Sequence, residues 1–417
     1  MKIKRIFSAA MSLVFICAVA LSAVSCTEIK AENLTADITA GAQNGKPIDG
    51  AFTEAELAFS LELFQKVAKG GKSNILISPV SVYLALSMAA SGAGGETLSE
   101  MEAALGLSKE ELNAYLCTYI SSLPNEEKCK VQTANSFWFR NDGSINVNKP
   151  FLETLSGCYG AEAYEAPFDG STVNDINKWV KNKTEGLIDS AVDEIPPQAV
   201  MYIINALVFD AEWQRVYERT EIESGKFTAI NGEERTVKYM HGNESNFFAK
   251  DGAQGFLKYY KGGEYAFAAV MPEEGDVYSY AENLTAEKFK GYFEFAESDS
   301  TRYKEVYLPK FEYEYSLEMG EVLRALGINN AFETDADFSG IGETGTGLLY
   351  IDEVLHKTFI SVDERGTKAG AVTSIQGGCG AMPPREELRF DKPFVYFLVD
   401  MNTKLPVFMG IAADIGK

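Results

Sequence analysis

The chain has two histidines, His241 and His356, among 417 residues. A mechanism needing several imidazole ligands is therefore excluded, and a hydrolase triad would have to use one of these two. No G-x-S-x-G stretch offers a nucleophilic serine on a strand-to-helix turn. Gly340-Ile341-Gly342-Glu343-Thr344-Gly345 satisfies G-x-G-x-x-G. No helix pattern follows it, so it reads as a turn-rich loop and not as a phosphate cradle. Beyond Cys26, four cysteines remain: Cys117, Cys129, Cys158 and Cys379. Their spacing fits no zinc or haem pattern, and they are too few to staple a chain this long. A Cys117–Cys129 bridge and buried free thiols both remain open. We expect no metal site, no cofactor and no enzyme activity.

The most informative segment runs from Glu364 to Glu387, 24 residues joining two strand-like runs. Loops beyond about 12–15 residues are uncommon in compact domains and are usually functional or disordered. This one carries a parity. Thr367, Ala369, Ala371 and Thr373 are small and lie two apart, while Lys368, Gly370, Val372 and Ser374 fill the other register. Alternate side chains of a strand face opposite ways. The segment could therefore become a strand whose inner face is small enough to enter a packed sheet. No proline lies between Thr367 and Met382 to forbid this.

The elements around the loop come next. Thr53/Glu56, Thr97/Glu100 and Ser108/Glu111 have capping-box spacing, and Leu57, Leu61, Phe64 and Ala68 recur at helical spacing. Ser78-Pro79 should open a helix with a hydroxyl cap, and Val80, Tyr83, Leu84, Leu86 and Met88 leave it no polar stripe. Val173, Ile176 and Val180 mark another helix. Strand-like runs cover Val131–Phe139, Tyr202–Phe209, Tyr265–Met271, Glu305–Phe311, Thr358–Val362, Phe394–Val399 and Val407–Ile411. Helices dominate early and strands late, an α+β pattern without strict alternation. There is no internal repeat and no linker cutting the chain after Thr53. One large domain over residues 52–417 is expected, despite a length that would suit two or three.

Sixty acidic against 38 basic side chains give a net charge of −22. That surface suits neither nucleic acid nor an anionic membrane. At the N-terminus, Lys2, Lys4 and Arg5 precede an apolar stretch from Ile6 to Val24, which reads as a secretory signal over residues 1–25. Ala23-Val24-Ser25-Cys26 resembles a bacterial lipobox, with Cys26 as the lipidated residue. Ordinary signal cleavage near Ala23 and an uncleaved anchor are the alternatives. Membrane contact is expected only through such a lipid. Residues 26–51 are polar and small and read as a tether. Asn33, Asn182, Asn243 and Asn283 begin N-x-[ST] sequons, but the lipobox-like N-terminus suggests a bacterial source, where they carry little weight.

From about Phe52 to Ile415 the chain resembles the serpins, a family of serine protease inhibitors. The resemblance rests on Asn74-Ile75-Leu76-Ile77-Ser78-Pro79-Val80-Ser81, Gly92-Ala93-Gly94-Gly95-Glu96-Thr97, Ile204-Asn205-Ala206 with Trp213, and Leu308-Pro309-Lys310-Phe311. It continues through Ala336-Asp337-Phe338-Ser339-Gly340, His356-Lys357, Glu364-Arg365-Gly366-Thr367, Phe390-Asp391-Lys392-Pro393-Phe394 and Phe408-Met409-Gly410. It implies one domain of helices packed on three β-sheets, with a reactive loop (364–387) above a five-stranded sheet. A protease cuts the loop and becomes acyl-linked through its own serine. The cut loop then inserts as an extra strand and drags the protease away.

The resemblance also assigns roles. Glu364, Gly366, Thr367, Ala369, Ala371 and Thr373 form the hinge, with Gly366 permitting a backbone reversal. Ser78, Ser81, Asn205 and His356 form the shutter, the polar cluster where the sheet opens. Trp213, Lys310 and Glu364 form the breach where insertion starts, with Lys310 and Glu364 as an ion pair. Arg365 and Lys368 stand where the family usually has acids, but both point outward on parity. Counting along the loop places the scissile bond at Ala381-Met382, with Gly380-Ala381 next. Such residues suit serine proteases with a small or apolar primary pocket, elastase-like or subtilisin-like. Cys379 beside them reads as small and not reactive. The expected protein is a monomeric suicide inhibitor, secreted or lipid-anchored outside the cytoplasm. The alternative is a non-inhibitory binding protein on the same fold, which hinge parity disfavours.

Overall fold

Asp49 accepts from the backbone N–H groups of Ala51 and Phe52 and so starts α1 (Gly50–Ala68). The structure, a computed structural model, describes residues 29–38, 45–297, 303–345, 349–367 and 386–416. The helix thus begins three residues before the expected Thr53 cap. Glu56 is not a capping partner; it is buried and accepts from Ser60 Oγ at 2.8 Å. Ser78 stands at the N-cap of α2 (Pro79–Ser91), but its hydroxyl donates to the Val407 carbonyl instead of capping. As its unbroken apolar sequence requires, α2 is buried nearly throughout.

α3 (Gly95–Leu105) starts from Gly94, not from Thr97. Thr97 Oγ1 instead accepts from the Asp337 backbone N–H, and Glu100 accepts from Asn329 and Asn330. Both expected boxes fail for one reason: a residue upstream already supplies the extended turn, leaving the side chains free for tertiary bonds. Ser108 does cap α4 (Lys109–Ser122), accepting from Glu111 N–H. α5 (Lys149–Tyr159) and α6 (Gly170–Lys183) complete the early helices.

The large sheet is built from β1 (Glu32–Asn33), β2 (Asn125–Glu126), β3 (Cys129–Arg140), β4 (Glu162–Ala166), β5 (Met201–Glu212), β6 (Phe311–Glu318), β7 (Leu355–Val362) and β8 (Gly366–Thr367). Its spatial order is β1-β4-β3-β5-β8-β7-β6, with β2 paired to β3. Without the three two-residue pieces β1, β2 and β8, five strands remain. A six-stranded sheet runs from Phe247–Lys250 to Ile75–Ile77, and a four-stranded sheet holds Glu387–Arg389, Lys304–Pro309, Glu234–Glu244 and Ile222–Thr228. A small ribbon pairs Ile145–Val147 with Gly342–Thr344, so the glycine-rich stretch there is partly a strand. The fold is one α+β domain. The run expected as a single strand, Glu305–Phe311, breaks at Lys310. Its two halves belong to different sheets.

Odd-numbered residues of β5 face the main core, and even-numbered ones (Tyr202, Ile204, Ala206) pack with Trp138 against Ile176 and Trp179 of α6. The large sheet is therefore covered on both faces, and anything entering it must match two packed surfaces.

Part of the expected 26–51 tether is not free. Glu32 and Asn33 pair with Glu165 and Tyr164 at the sheet edge, and Lys30 and Ala31 donate backbone N–H groups to Asp175. Edge backbone groups attract a partner strand, and a polar sequence can supply one. The signal segment 1–25 and Cys26 lie outside the described residues.

Candidate functional site

β8 lies between β5 and β7. Thr367 stands opposite Ala211 on one side and Val362 on the other, antiparallel to both. It is 3% exposed, and its hydroxyl meets the Tyr260 hydroxyl at 2.5 Å. Directly opposed residues share a face, so Thr367 faces the main core with Val362. Beyond Thr367, no ladder joins β5 to β7 among the described residues. Cavities lie along that seam instead. One of about 10 Å³ is bordered by Leu207, Phe359, Ile360 and Thr367. Another of about 30 Å³ is bordered by Ser81, Ile203, Asn205, Leu355 and His356. The facing edges of β5 and β7 thus frame a slot, with its first two residues already in place.

A tight turn feeds β8. Asp363 Oδ1 accepts from the backbone of Arg365 and Gly366, and Asp363 N–H donates to the Gly366 carbonyl at 3.0 Å. Gly366 does not adopt a positive φ. Its requirement is steric: a Cβ there would run into the Ala211 carbonyl oxygen. The expected backbone reversal is replaced by a close approach of two strands.

Trp213, Lys310 and Glu364 converge at the mouth of the slot. Trp213 is fully buried and stacks on Tyr260 at 4.5 Å. Its backbone N–H donates to Arg365 O at 2.7 Å, and its indole N–H to Asp363 O at 2.8 Å. Tyr217 N–H holds the Glu364 carbonyl at 2.9 Å. Lys310 and Glu364 form an ion pair. Burial works to raise the Glu364 carboxyl, but the hydrogen bond and charge of Lys310 outweigh it and hold the group below its ordinary value. Both side chains are about one-third exposed, so screening keeps the pair's energetic weight small.

Deeper in the seam, His356 is buried and its Nε2 accepts from Ser78 N–H at 3.0 Å. Burial pushes its imidazole down to about 4. Ser81 Oγ donates to Asn205, and Asn205 donates in turn to Asn135 of β3. Asn135 donates to the Tyr159 carbonyl at 3.0 Å, and the Tyr159 hydroxyl reaches Asn113 of α4 at 2.7 Å. The four expected shutter residues are therefore in one region, in two linked pairs. Asn135, Tyr159, Tyr260 and Asp363 extend the site beyond the expected list. Asn135 had a signal: it is polar inside the Val131–Phe139 run, and the ladder sets it opposite Asn205. Tyr260 and Asp363 had none. Ala369, Ala371, Thr373, Cys379, Gly380, Ala381 and Met382 lie outside the described residues.

Cys117, Cys129 and Cys158 are free thiols. The neighbour of Cys117 is not Cys129 but Cys158 of α5. Cys129 instead opens β3, opposite Ala211.

The family profile for Serpin (serine protease inhibitor) matches residues 54–415. An uncharacterised serpin-like protein of Thermococcus kodakarensis is 30% identical over 376 residues, covering 88% of this chain and 85% of the relative. Iripin-2 of Ixodes ricinus is 29% identical, covering 87% of this chain and 93% of the relative. Among solved structures, the native state of the thermophilic serpin tengpin superposes with a TM-score of 0.87 at 43% identity, covering 92% of this chain and all of that one. Serpins in general inhibit serine proteases and are not catalytic enzymes, and some members are non-inhibitory. This chain belongs to the serpin family.

Proposed function

We propose that this serpin is inhibitory: a suicide substrate that is cut in its 364–387 loop and traps the protease by inserting the cut arm into the large sheet. The observation that carries this reading is the seating of Thr367 between β5 and β7, above a seam that no described residue bridges with a ladder. Continuing that register two residues at a time sets Ala369 against Phe209 and Ile360. Ala371 then falls against Leu207 and Thr358, and Thr373 against Asn205 and His356. Once inserted, each of the three would face the core with a small side chain, and the threonine hydroxyl would meet the polar pair. The same register brings residue 377 opposite Met201, where β5 begins.

A cut at Ala381-Met382, or at Gly380-Ala381, frees an arm long enough to fill this slot. The small residues there fit serine proteases with a small or apolar primary pocket. We place the protein outside the cytoplasm, secreted or held by a lipid on Cys26, on the strength of its N-terminal sequence.

Mixing the protein with elastase-like, subtilisin-like and trypsin-like proteases tests the reading on a denaturing gel. A complex that survives detergent, and a cut form that melts at a higher temperature than the intact one, are expected. Clean loop cleavage with no such complex from any of these proteases, or equal heat resistance before and after the cut, overturns it. Mass spectrometry of the released C-terminal fragment reads out the scissile bond.

A further inference from the structure

Cys117 of α4 and Cys158 of α5 lie 41 residues apart in sequence and side by side in the fold. The Cys117 thiol donates to the carbonyl of Gly157, the residue before Cys158, at 3.7 Å, which sets Cys117 beside Cys158 where α4 packs on α5. Cys117 is half-buried, whereas Cys158 is buried. Neither serves the slot between β5 and β7, and packing of small apolar groups does not need two thiols brought together. Paired thiols on two different elements are the precursor of a cross-link.

We propose that Cys117 and Cys158 form an intramolecular disulfide, a modification site that clamps α4 to α5 and resists opening of the large sheet. The oxidant is a small-molecule disulfide. The half-exposed Cys117 loses its proton to solvent, and its sulfur attacks that disulfide, displacing one thiolate and leaving a mixed disulfide. The Cys158 sulfur, deprotonated in turn, then attacks the Cys117 sulfur and displaces the second. Two protein thiols become one disulfide, the oxidant becomes two thiols, and the two protons end on the leaving sulfurs. Burial, with Cys117 alongside, pushes the Cys158 thiol up to about 12, so the second, intramolecular step is the slow one and is favoured by alkaline pH.

The position gives the clamp its consequence. Tyr159, next to Cys158, bonds Asn113 on α4 and receives Asn135 of β3. Asn135 leads to Asn205 of β5, at the edge of the seam. β3 and β5 share a ladder from Cys129↔Ala211 to Phe139↔Met201, so β5 cannot move away from β7 without carrying β3 and its link to α5. α4 packs against α2, the helix behind the sheet. A disulfide would stiffen the α4–α5 packing to which β3 and β5 are linked. After acylation, insertion competes with hydrolysis of the acyl link, and slower insertion diverts molecules to plain cleavage.

This consequence rests on the inhibitory reading; the cross-link does not. The purified protein is incubated with oxidised glutathione, its remaining thiols are alkylated, and its peptides are mapped. Inhibition is then titrated for oxidised and reduced wild type and for Cys117→Ser treated identically. We expect the Cys117 and Cys158 peptides to be joined, and a severalfold rise in inhibitor consumed per protease trapped, in oxidised wild type only. Peptides that stay separate, or Cys117 joined elsewhere, overturn the site. Joined peptides with unchanged consumption, or an equal rise in Cys117→Ser, overturn the clamp. A reduced protein that traps no protease fails the inhibitory reading and the clamp that depends on it, while the peptide map still decides the disulfide.

Discussion

The backbone N–H of Ser78 points at Nε2 of His356 from 3.0 Å, so the buried imidazole must accept there and carry its proton on Nδ1. A second proton would break this bond and place a charge where only neutral groups fit. The folded-state value of about 4 lies below the ordinary 6.5. An unfolded chain therefore binds the proton first as pH falls. Stability from this residue is fully present above pH 6.5 and is lost as pH falls toward 4, by about 3 kcal/mol at most. Calorimetric melting of wild type and His356→Gln across that window should show a steeper fall for wild type. Parallel curves would contradict the neutral, buried state.

Gly366→Ala should expel the hinge. The added methyl meets the Ala211 carbonyl oxygen of β5, a backbone atom that cannot turn aside. Losing β8 releases the bonds that Trp213 makes to Arg365 O and Asp363 O. We expect changed Trp213 fluorescence in the uncut protein and a larger fraction of cleaved, untrapped inhibitor. Wild-type fluorescence together with wild-type trapping would show that Gly366 is not constrained by close approach.

Much of this site could be read from residue order alone because insertion needs a parity, and parity is local. Thr367 itself faces the core. The apolar runs 131–139, 202–209 and 358–362 mark the strands that border the seam. What could not be read depends on tertiary neighbours. Lys310 separates two sheets because the chain leaves one plane for another, which a seven-residue strand-like run does not reveal. Thr53 and Thr97 have cap chemistry, yet Asp49 and Gly94 take the cap positions upstream. Tyr260 reaches Thr367 across 107 positions of sequence, and Cys117 meets Cys158 only because α4 and α5 pack together.

Glu56 carries a cost built into α1. It is fully buried, Ser60 is its hydrogen-bond donor, and its second carboxylate oxygen has no partner among the described residues. Burial pushes its carboxyl up to about 8. Between pH 4.5 and 8 the unfolded chain releases a proton that the folded chain retains, so stability falls as pH rises through that window. Glu56→Gln should raise the melting temperature at pH 8, by the equivalent of a few kcal/mol, and leave it nearly unchanged at pH 4. A variant no more stable than wild type at pH 8 would mean that the carboxyl is solvated or paired.

Thr367→Arg tests the first step of insertion. The threonine is 3% exposed and its polar side-chain partner among the described residues is the Tyr260 hydroxyl, itself buried under Trp213. A guanidinium in that place would lose its water without gaining a carboxylate, at a cost of several kcal/mol. The arm should then stay outside the sheet. Proteases should still cut the loop, but the acyl link should hydrolyse, giving cleaved inhibitor and free protease. The cut variant should also melt where the uncut one does. Thr367→Ser keeps the hydroxyl and should trap normally, which separates a blocked hinge from general damage to the fold. Undiminished trapping by Thr367→Arg would show that this position does not enter the sheet during inhibition.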